Sequence, residues 1–280
     1  MTLTFIGLGL NDAKDVTIRG LQSIQLSHVI YLEHYTAILA DTVENLQYFF
    51  GKPIILADRN MVESRAEETI LKDAETKNVS FLVVGDVFSA TTHTDLFLRA
   101  KKKGIVVDVV NNASILTAVG ITGLQLYKFG KTTSMVFFDG NWKPQTAYDV
   151  IKQNRASGLH TLILLDIKVA EPSKSDLRAD LRADGTIDDQ NKKSNPLPPR
   201  FMTVQQAIDQ LFEIESVRKE GIITGKTQFI GVARLGSDTA AIKAGIAEQL
   251  RVFDFGAPMH SLIVPGELHF LEEEMLELYK

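Results

Sequence analysis

Apolar and polar positions follow two regimes along the chain. Up to Val110, short apolar runs recur at Leu3 to Leu10, Val29 to Leu32, Ile54 to Leu56, Phe81 to Val84 and Ile105 to Val110. Between them lie stretches with helical spacing, such as Val16, Ile18, Leu21, Ile24 and Leu26, and a charged surface-helix pattern from Val62 to Ala74. Buried runs alternating with amphipathic segments predict a mainly parallel sheet covered by helices. After Asn111 to Ile115 the chain enters a helix containing Ala118, Gly120 and Gly123, and the strands lengthen: Thr133 to Phe138, Leu159 to Ile167 and Gln228 to Leu235. The change of pattern predicts two α/β domains, 1–111 and 112–280.

Thr203 with Gln206 three residues on forms a capping box, followed by one apolar face of Val204, Ala207, Ile208, Leu211 and Phe212. Thr239 to Gln249 reads as a helix, His260 to Val264 as a last strand, and Leu268 to Lys280 as an acidic amphipathic helix with its charges towards water. Residues 170–200 are polar, repeat Leu-Arg-Ala-Asp in tandem and end in a proline-rich segment, as a surface insertion would.

Composition narrows the chemistry. The 280 residues are 45% hydrophobic and 23% charged, with no apolar run long enough to cross a bilayer, so a soluble protein is expected. The first residues lack a basic region and a cleavage site, which reads as cytoplasmic. A net charge of -5 argues against a nonspecific grip on nucleic acid. With no cysteine, chemistry must come from nitrogen, oxygen or a cofactor, and the six scattered histidines lack the local spacing of a metal site. Gly7-Leu8-Gly9 invites a dinucleotide reading, but the third glycine of that fingerprint is replaced by Asp12.

What remains is a set of strand ends carrying Gly, Asp, Ser and apolar residues: Gly9-Leu10, Gly85-Asp86, Ser114-Ile115, Leu165-Asp166 and Leu235-Gly236. The most informative is Phe81 to Asp95, where a buried strand stops at Gly85-Asp86 and a Ser, Thr and His loop leads to a helix. Such a lining suits an adenosine-like ligand. Methyl transfer fits it, because the cofactor carries the reactive bond and the protein supplies alignment and a dry pocket. On residues alone, Asp86 is equally a turn cap, and His260 before a strand is more often a packing histidine than a ligand contact.

At Val83-Val84-Gly85-Asp86 and Ala90-Thr91-Thr92-His93 the chain resembles the diphthine synthases, a branch of the tetrapyrrole-methylase superfamily of S-adenosylmethionine-dependent methyltransferases. The resemblance extends to Phe5 to Leu10, Asn112 to Ile115, Gly123 to Gly130, Leu164 to Val169, Ala233-Arg234 and His260 to Ile263. It implies S-adenosyl-L-methionine as cofactor, leaving as S-adenosyl-L-homocysteine, in a cleft between two α/β domains. Leu10, Asp86, Ser89, Ser114, Ile115, Leu165, Leu235 and His260 fall where the family contacts that cofactor. Val87 stands where the family commonly has proline and Ser89 where it commonly has glycine.

The same resemblance implies a homodimer and, as substrate, the modified histidine of translation elongation factor 2 in diphthamide biosynthesis. Pro198 to Glu215 is similar to the eukaryotic branch, which adds four methyls to give a methyl ester, where the archaeal branch stops at the trimethylated amine. No general base is named, although Asp166 and His160 lie near a strand end. The alternatives are a corrin or porphyrin precursor methylase of the same superfamily, and a non-catalytic binding module using the insertion.

Overall fold

A computed structural model describes residues 1–35, 38–169 and 198–280. Its first sheet comprises β1 (Thr2–Gly7), β2 (Val29–Glu33), β3 (Ile55–Ala57), β4 (Val79–Val83) and β5 (Val106–Val110), in the order β3-β2-β4-β1-β5 with every pairing parallel. Helices α1 (Ile18–Leu26), α2 (Val43–Phe50), α3 (Arg59–Glu63), α4 (Ile70–Thr76) and α5 (Thr94–Lys102) connect the strands. Alternate residues feed two cores. Phe5, Tyr31 and Phe81 pack on one face with Ile70, Leu71 and Leu96, and Ile6, Ile30 and Leu82 pack on the other with Ile24, Leu46 and Phe50. Central strands buried on both faces explain why their sequences read as unbroken apolar runs.

After α6 (Ile115–Ala118) and a 3-10 turn closed by Gly123 in the left-handed region, the second sheet begins. It contains β6 (Thr133–Met135), β7 (Thr161–Leu165), β10 (Gln228–Ala233), β11 (Ala241–Ile246) and β12 (His260–Val264), ordered β11-β10-β12-β7-β6. β6 and β7 are parallel and the other pairings antiparallel. A separate ribbon pairs β8 (Ile167–Lys168) with β9 (Arg200–Phe201). Helices α7 (Thr146–Ala156), α8 (Val204–Arg218) and α9 (Ala247–Val252) contribute to one core, and Leu276 of α10 (Phe270–Glu277) packs into the opposite one. The chain is thus an α/β protein whose first sheet draws on residues 2–110 and whose second draws on 133–264.

Several elements differ from expectation. Thr239 to Gln249 is not a helix: Ala241–Ile246 pairs antiparallel with β10, and only Ala247–Val252 is helical. The alanine-rich run has fair helix propensity, but the open edge of β10 supplies a full ladder of partners, and tertiary pairing overrides a weak local preference. Val62 to Ala74 divides into α3 and α4, with a turn between them. The strand at Thr133 to Phe138 stops at Met135. In the acidic tail, Glu272 does not face water; it is fully buried. Helices α2 and α7 went unread in the sequence. The former is N-capped by Thr42 and ended by Gly51 at φ 68°. The expected insertion, apart from its last residues from 198 on, lies outside the described residues. Among the described residues no helix is long and apolar enough to cross a membrane.

Candidate functional site

The carboxyl ends of all five strands of the first sheet open on one side, and the sheet's connections diverge between β1 and β4. β1 sends its connection past β4 to β2, whereas β4 sends its own past β1 to β5. Ligands of open parallel sheets sit at such a switch point. Here Gly9 and Gly85 exchange backbone hydrogen bonds, Gly9 N–H to Gly85 O at 3.2 Å and Gly85 N–H to Gly9 O at 2.7 Å. Their φ angles of 85° and 77° need residues without a Cβ. A cleft of about 650 Å³ opens over them, completed from the second sheet by the ends of β6, β7 and β10 and the start of β12.

Of the eight residues expected at a cofactor, Leu10, Ser89, Ser114, Ile115, Leu165, Leu235 and His260 line this cleft. Asp86 is not in its lining; it lies buried behind the loop it belongs to. Its Oδ1 accepts from Asn111 Nδ2 and Asn112 N, both at 3.0 Å, and its Oδ2 accepts from Phe88 N at 3.3 Å and Ser89 Oγ at 3.2 Å. Burial pushes the carboxyl group up, but those donors outweigh it and hold Asp86 below the usual aspartate range. Asn112 extends the brace by donating to the carbonyls of Gly7 at 3.0 Å and Asp15 at 2.9 Å. One carboxylate therefore ties together the loops after β1, β4 and β5, and so sets where Ser89, Ser114 and Ile115 face. Val87 is fully buried.

His260 is also buried, and its ring Nε2 lies 3.2 Å from Gly256 O and 3.1 Å from Ala257 O. Two carbonyls at one nitrogen fix the proton there, so Nδ1 carries the lone pair, and that atom has no partner among the described residues. Burial lowers the His260 pKa despite those carbonyls, which keeps the ring neutral. An unpartnered acceptor in a cleft wall has the chemistry to receive an amino or hydroxyl hydrogen from a ligand. The loop that holds it is braced by Arg234, whose Nη1 donates to the carbonyls of Phe255, at 2.8 Å, and Ala257, and whose Nη2 donates to Thr239 O at 2.6 Å. Arg234 takes a left-handed φ of 46° to do so.

The cleft also gathers residues to which no site role was given: Tyr35, Ile38 and Arg59 from the ends of β2 and β3, and Ser134 to Val136 beyond β6. Nothing local in the sequence distinguished them, because their role comes from which strands end together. Asp166 lines the cleft with its Oδ2 accepting from Phe137 N at 3.0 Å. His160 faces elsewhere. Its Nδ1 accepts from Gly266 N at 3.0 Å and its Nε2 donates to Glu272 at 3.1 Å, within a buried network that also takes in Lys128 and Gln125 N–H. Burial lowers the His160 pKa more than Glu272 raises it, while four donors hold Glu272 at about 2 against its own burial. This network fastens α10 rather than serving the cleft.

The cleft accommodates an adenosine-sized ligand: apolar walls from Leu10, Ile115, Leu165 and Leu235, backbone groups of two close-packed glycines, and a buried acceptor, His260 Nδ1, without a partner among the described residues. Comparison with known proteins finds a methylase family. The family profile of the Tetrapyrrole (Corrin/Porphyrin) Methylases matches residues 2–191. The diphthine methyl ester synthase of Dictyostelium discoideum is 50% identical over 283 residues, covering 100% of this chain and 98% of that protein. That of Mus musculus is 47% identical over 282 residues, covering 99% and 96%. A crystal structure of diphthine synthase superposes with a TM-score of 0.82 at 32% identity, covering 100% of this chain and 96% of the other.

Proposed function

The chain belongs to the tetrapyrrole (corrin/porphyrin) methylase family, in its diphthine methyl ester synthase branch, and on that premise we propose that it methylates the modified histidine of translation elongation factor 2 in diphthamide biosynthesis. It is a methyltransferase. The observation that supports the site assignment is the cleft at the switch point, which seven of the eight expected residues line, His260 among them with its Nδ1 unpartnered among the described residues.

In this reading S-adenosyl-L-methionine is held there, and it supplies an electrophilic methyl on a sulfonium. Leu10, Ile115, Leu165 and Leu235 would hold its apolar surface, and Ser89, Ser114 and His260 would offer it polar atoms. Asp86 serves the cofactor by bracing these loops. The substrate carries an amine and a carboxylate; three methyls go to the amine and one to the carboxylate, giving a methyl ester. The amine must shed its proton before each attack, and solvent accepts it, so no side chain is assigned as base. The division into domains at 111/112 places the cleft between them, and the protein acts in the cytoplasm as a homodimer. A corrin or porphyrin precursor would bring many carboxylates, and of the two arginines that line the cleft among the described residues Arg234 is already spent on backbone carbonyls, leaving Arg59 alone to meet them, which disfavours that substrate.

The test is transfer of labelled methyl to elongation factor 2 purified from cells lacking this activity, with the modified histidine weighed by mass spectrometry. Four added methyls on that histidine are expected. A product limited to three removes the ester step, and binding of S-adenosyl-L-homocysteine without transfer removes the substrate.

A further inference from the structure

Three charged side chains line the cleft among the described residues: Arg59, Asp166 and Arg234. Asp166 is engaged by Phe137 N–H, and Arg234 donates to three backbone carbonyls and to Thr239 Oγ1. Arg59 differs. Its guanidinium lies 5.3 Å from the centre of the Tyr35 ring, and it makes no hydrogen bond or ion pair among the described residues. Neither neighbouring acid takes it up: Asp58 accepts from Met61 N at 2.7 Å as the cap of α3, and Glu63, four residues on, forms no pair with it. An aromatic face orients the guanidinium plane without consuming its donors, so five N–H groups remain for an anion.

The topology says which part of a ligand Arg59 meets. Arg59 follows β3 and Tyr35 follows β2, whereas Ser114 and Ile115 follow β5 at the opposite edge of the sheet. At roughly 4.8 Å per strand, the four spacings from β3 to β5 put the origins of Arg59 and Ser114 about 19 Å apart, and the three from β2 put that of Tyr35 about 14 Å away. The cofactor residues proposed above cluster at β1, β4 and β5 and on the second sheet, which leaves the β2–β3 side for the other reactant.

Resting on the function proposed above, we propose that Arg59 is the specificity residue that recognises the carboxylate of the amino-acid-like end of the substrate. The planar fork of a guanidinium pairs two oxygens of a carboxylate at once, a geometry lysine lacks. Recognition of this kind also orders the reaction. While the amine is being methylated the carboxylate stays charged and held. Esterification forms an O–C bond as the sulfonium C–S bond breaks with its electron pair left on sulfur; no proton moves, and one negative charge disappears. The ester has lost the charge and the two-oxygen pairing with Arg59, so the finished product is held less tightly and leaves.

The experiment compares the wild-type protein with Arg59→Gln and Arg59→Lys, measuring kcat and KM for elongation factor 2 purified from cells lacking this activity, whose modified histidine awaits methylation, and, by calorimetry, affinity for S-adenosyl-L-homocysteine. Arg59 is solvent-exposed, so these variants fold. The expected result is a KM raised about tenfold by Gln and less by Lys, with S-adenosyl-L-homocysteine affinity unchanged, since a lost charge-assisted bidentate pair accounts for that tenfold, about 1.4 kcal/mol. An unchanged KM overturns the inference, and so does a loss of S-adenosyl-L-homocysteine affinity equal to the rise in KM, which assigns Arg59 to the cofactor's own carboxylate. If the wild-type protein transfers no methyl to elongation factor 2, the proposed function fails and takes this inference with it; if it transfers normally and Arg59→Gln does too, only the inference fails.

Discussion

Replacing Asp86 by asparagine separates bracing of the cleft from contact with a ligand. The carboxylate accepts four hydrogen bonds, two at each oxygen. Asparagine keeps one acceptor oxygen and turns an amino group onto the other two donors, so two charge-assisted bonds are lost. At roughly 1.5 kcal/mol each, the ligand-free protein loses about 3 kcal/mol. For a chain of this size each kcal/mol is worth roughly 2–4 °C, which places the fall in melting temperature at about 6–12 °C. Scanning calorimetry of the two proteins, with and without S-adenosyl-L-homocysteine, reads both quantities. A brace predicts that the ligand-free protein already melts lower, because the loops after β1, β4 and β5 are untied before any ligand arrives. A variant that melts within about 1 °C of the parent yet binds the nucleoside about tenfold more weakly would refute the reasoning, for the carboxylate would then be a ligand contact.

Acid should weaken the fold before any carboxylate titrates. His93, His160 and His260 all have pKa values lowered by burial, so the unfolded chain binds protons that the folded chain refuses. Their contribution is complete above the ordinary histidine pKa of 6.5 and declines as pH falls below it towards the folded values. Urea unfolding at about pH 7.5 and about pH 5.5 should show a lower midpoint in acid, and equal midpoints would contradict the burial argument. Gly123→Ala should detach α10: Gly123 sits at φ 87°, and a Cβ there collides with the Met275 side chain. Strain and overpacking together should cost about 2–4 kcal/mol, with faster hydrogen exchange in α10 as the local readout. A loss below about 1 kcal/mol would show that the helix simply shifts.

The first sheet was legible because its central strands are buried on both faces, which leaves runs such as Phe81 to Val84 with no polar interruption, and because Gly9 and Gly85 mark where those strands stop. Legibility failed where a distant partner decides. Ala241–Ile246 has the composition of a modest helix, and becomes a strand because β10 offers an edge. Glu272 sits in a run of glutamates that reads as a solvated face, yet it is the one turned inwards, because Gln125, Lys128 and His160 deliver donors from 112 to 147 residues away. Asp86 was legible as important, but its sequence neighbours do not reveal whether its carboxylate faces a ligand or Asn111 and Asn112.

Arg59 is the converse of Glu272. Both are charged residues in charged stretches, and no local spacing marks either one. Glu272 has lost its water and is fully supplied with donors, so removing it can only damage the fold. Arg59 keeps its donors unused on the wall of a cleft, so removing it leaves the fold alone and changes what the cleft can hold. The distinction between a structural charge and a functional one therefore lies in the count of satisfied hydrogen-bonding groups, a property of the folded chain. Among the described residues two arginines line the same cleft, and by that count Arg234 builds the wall while Arg59 reads what comes against it.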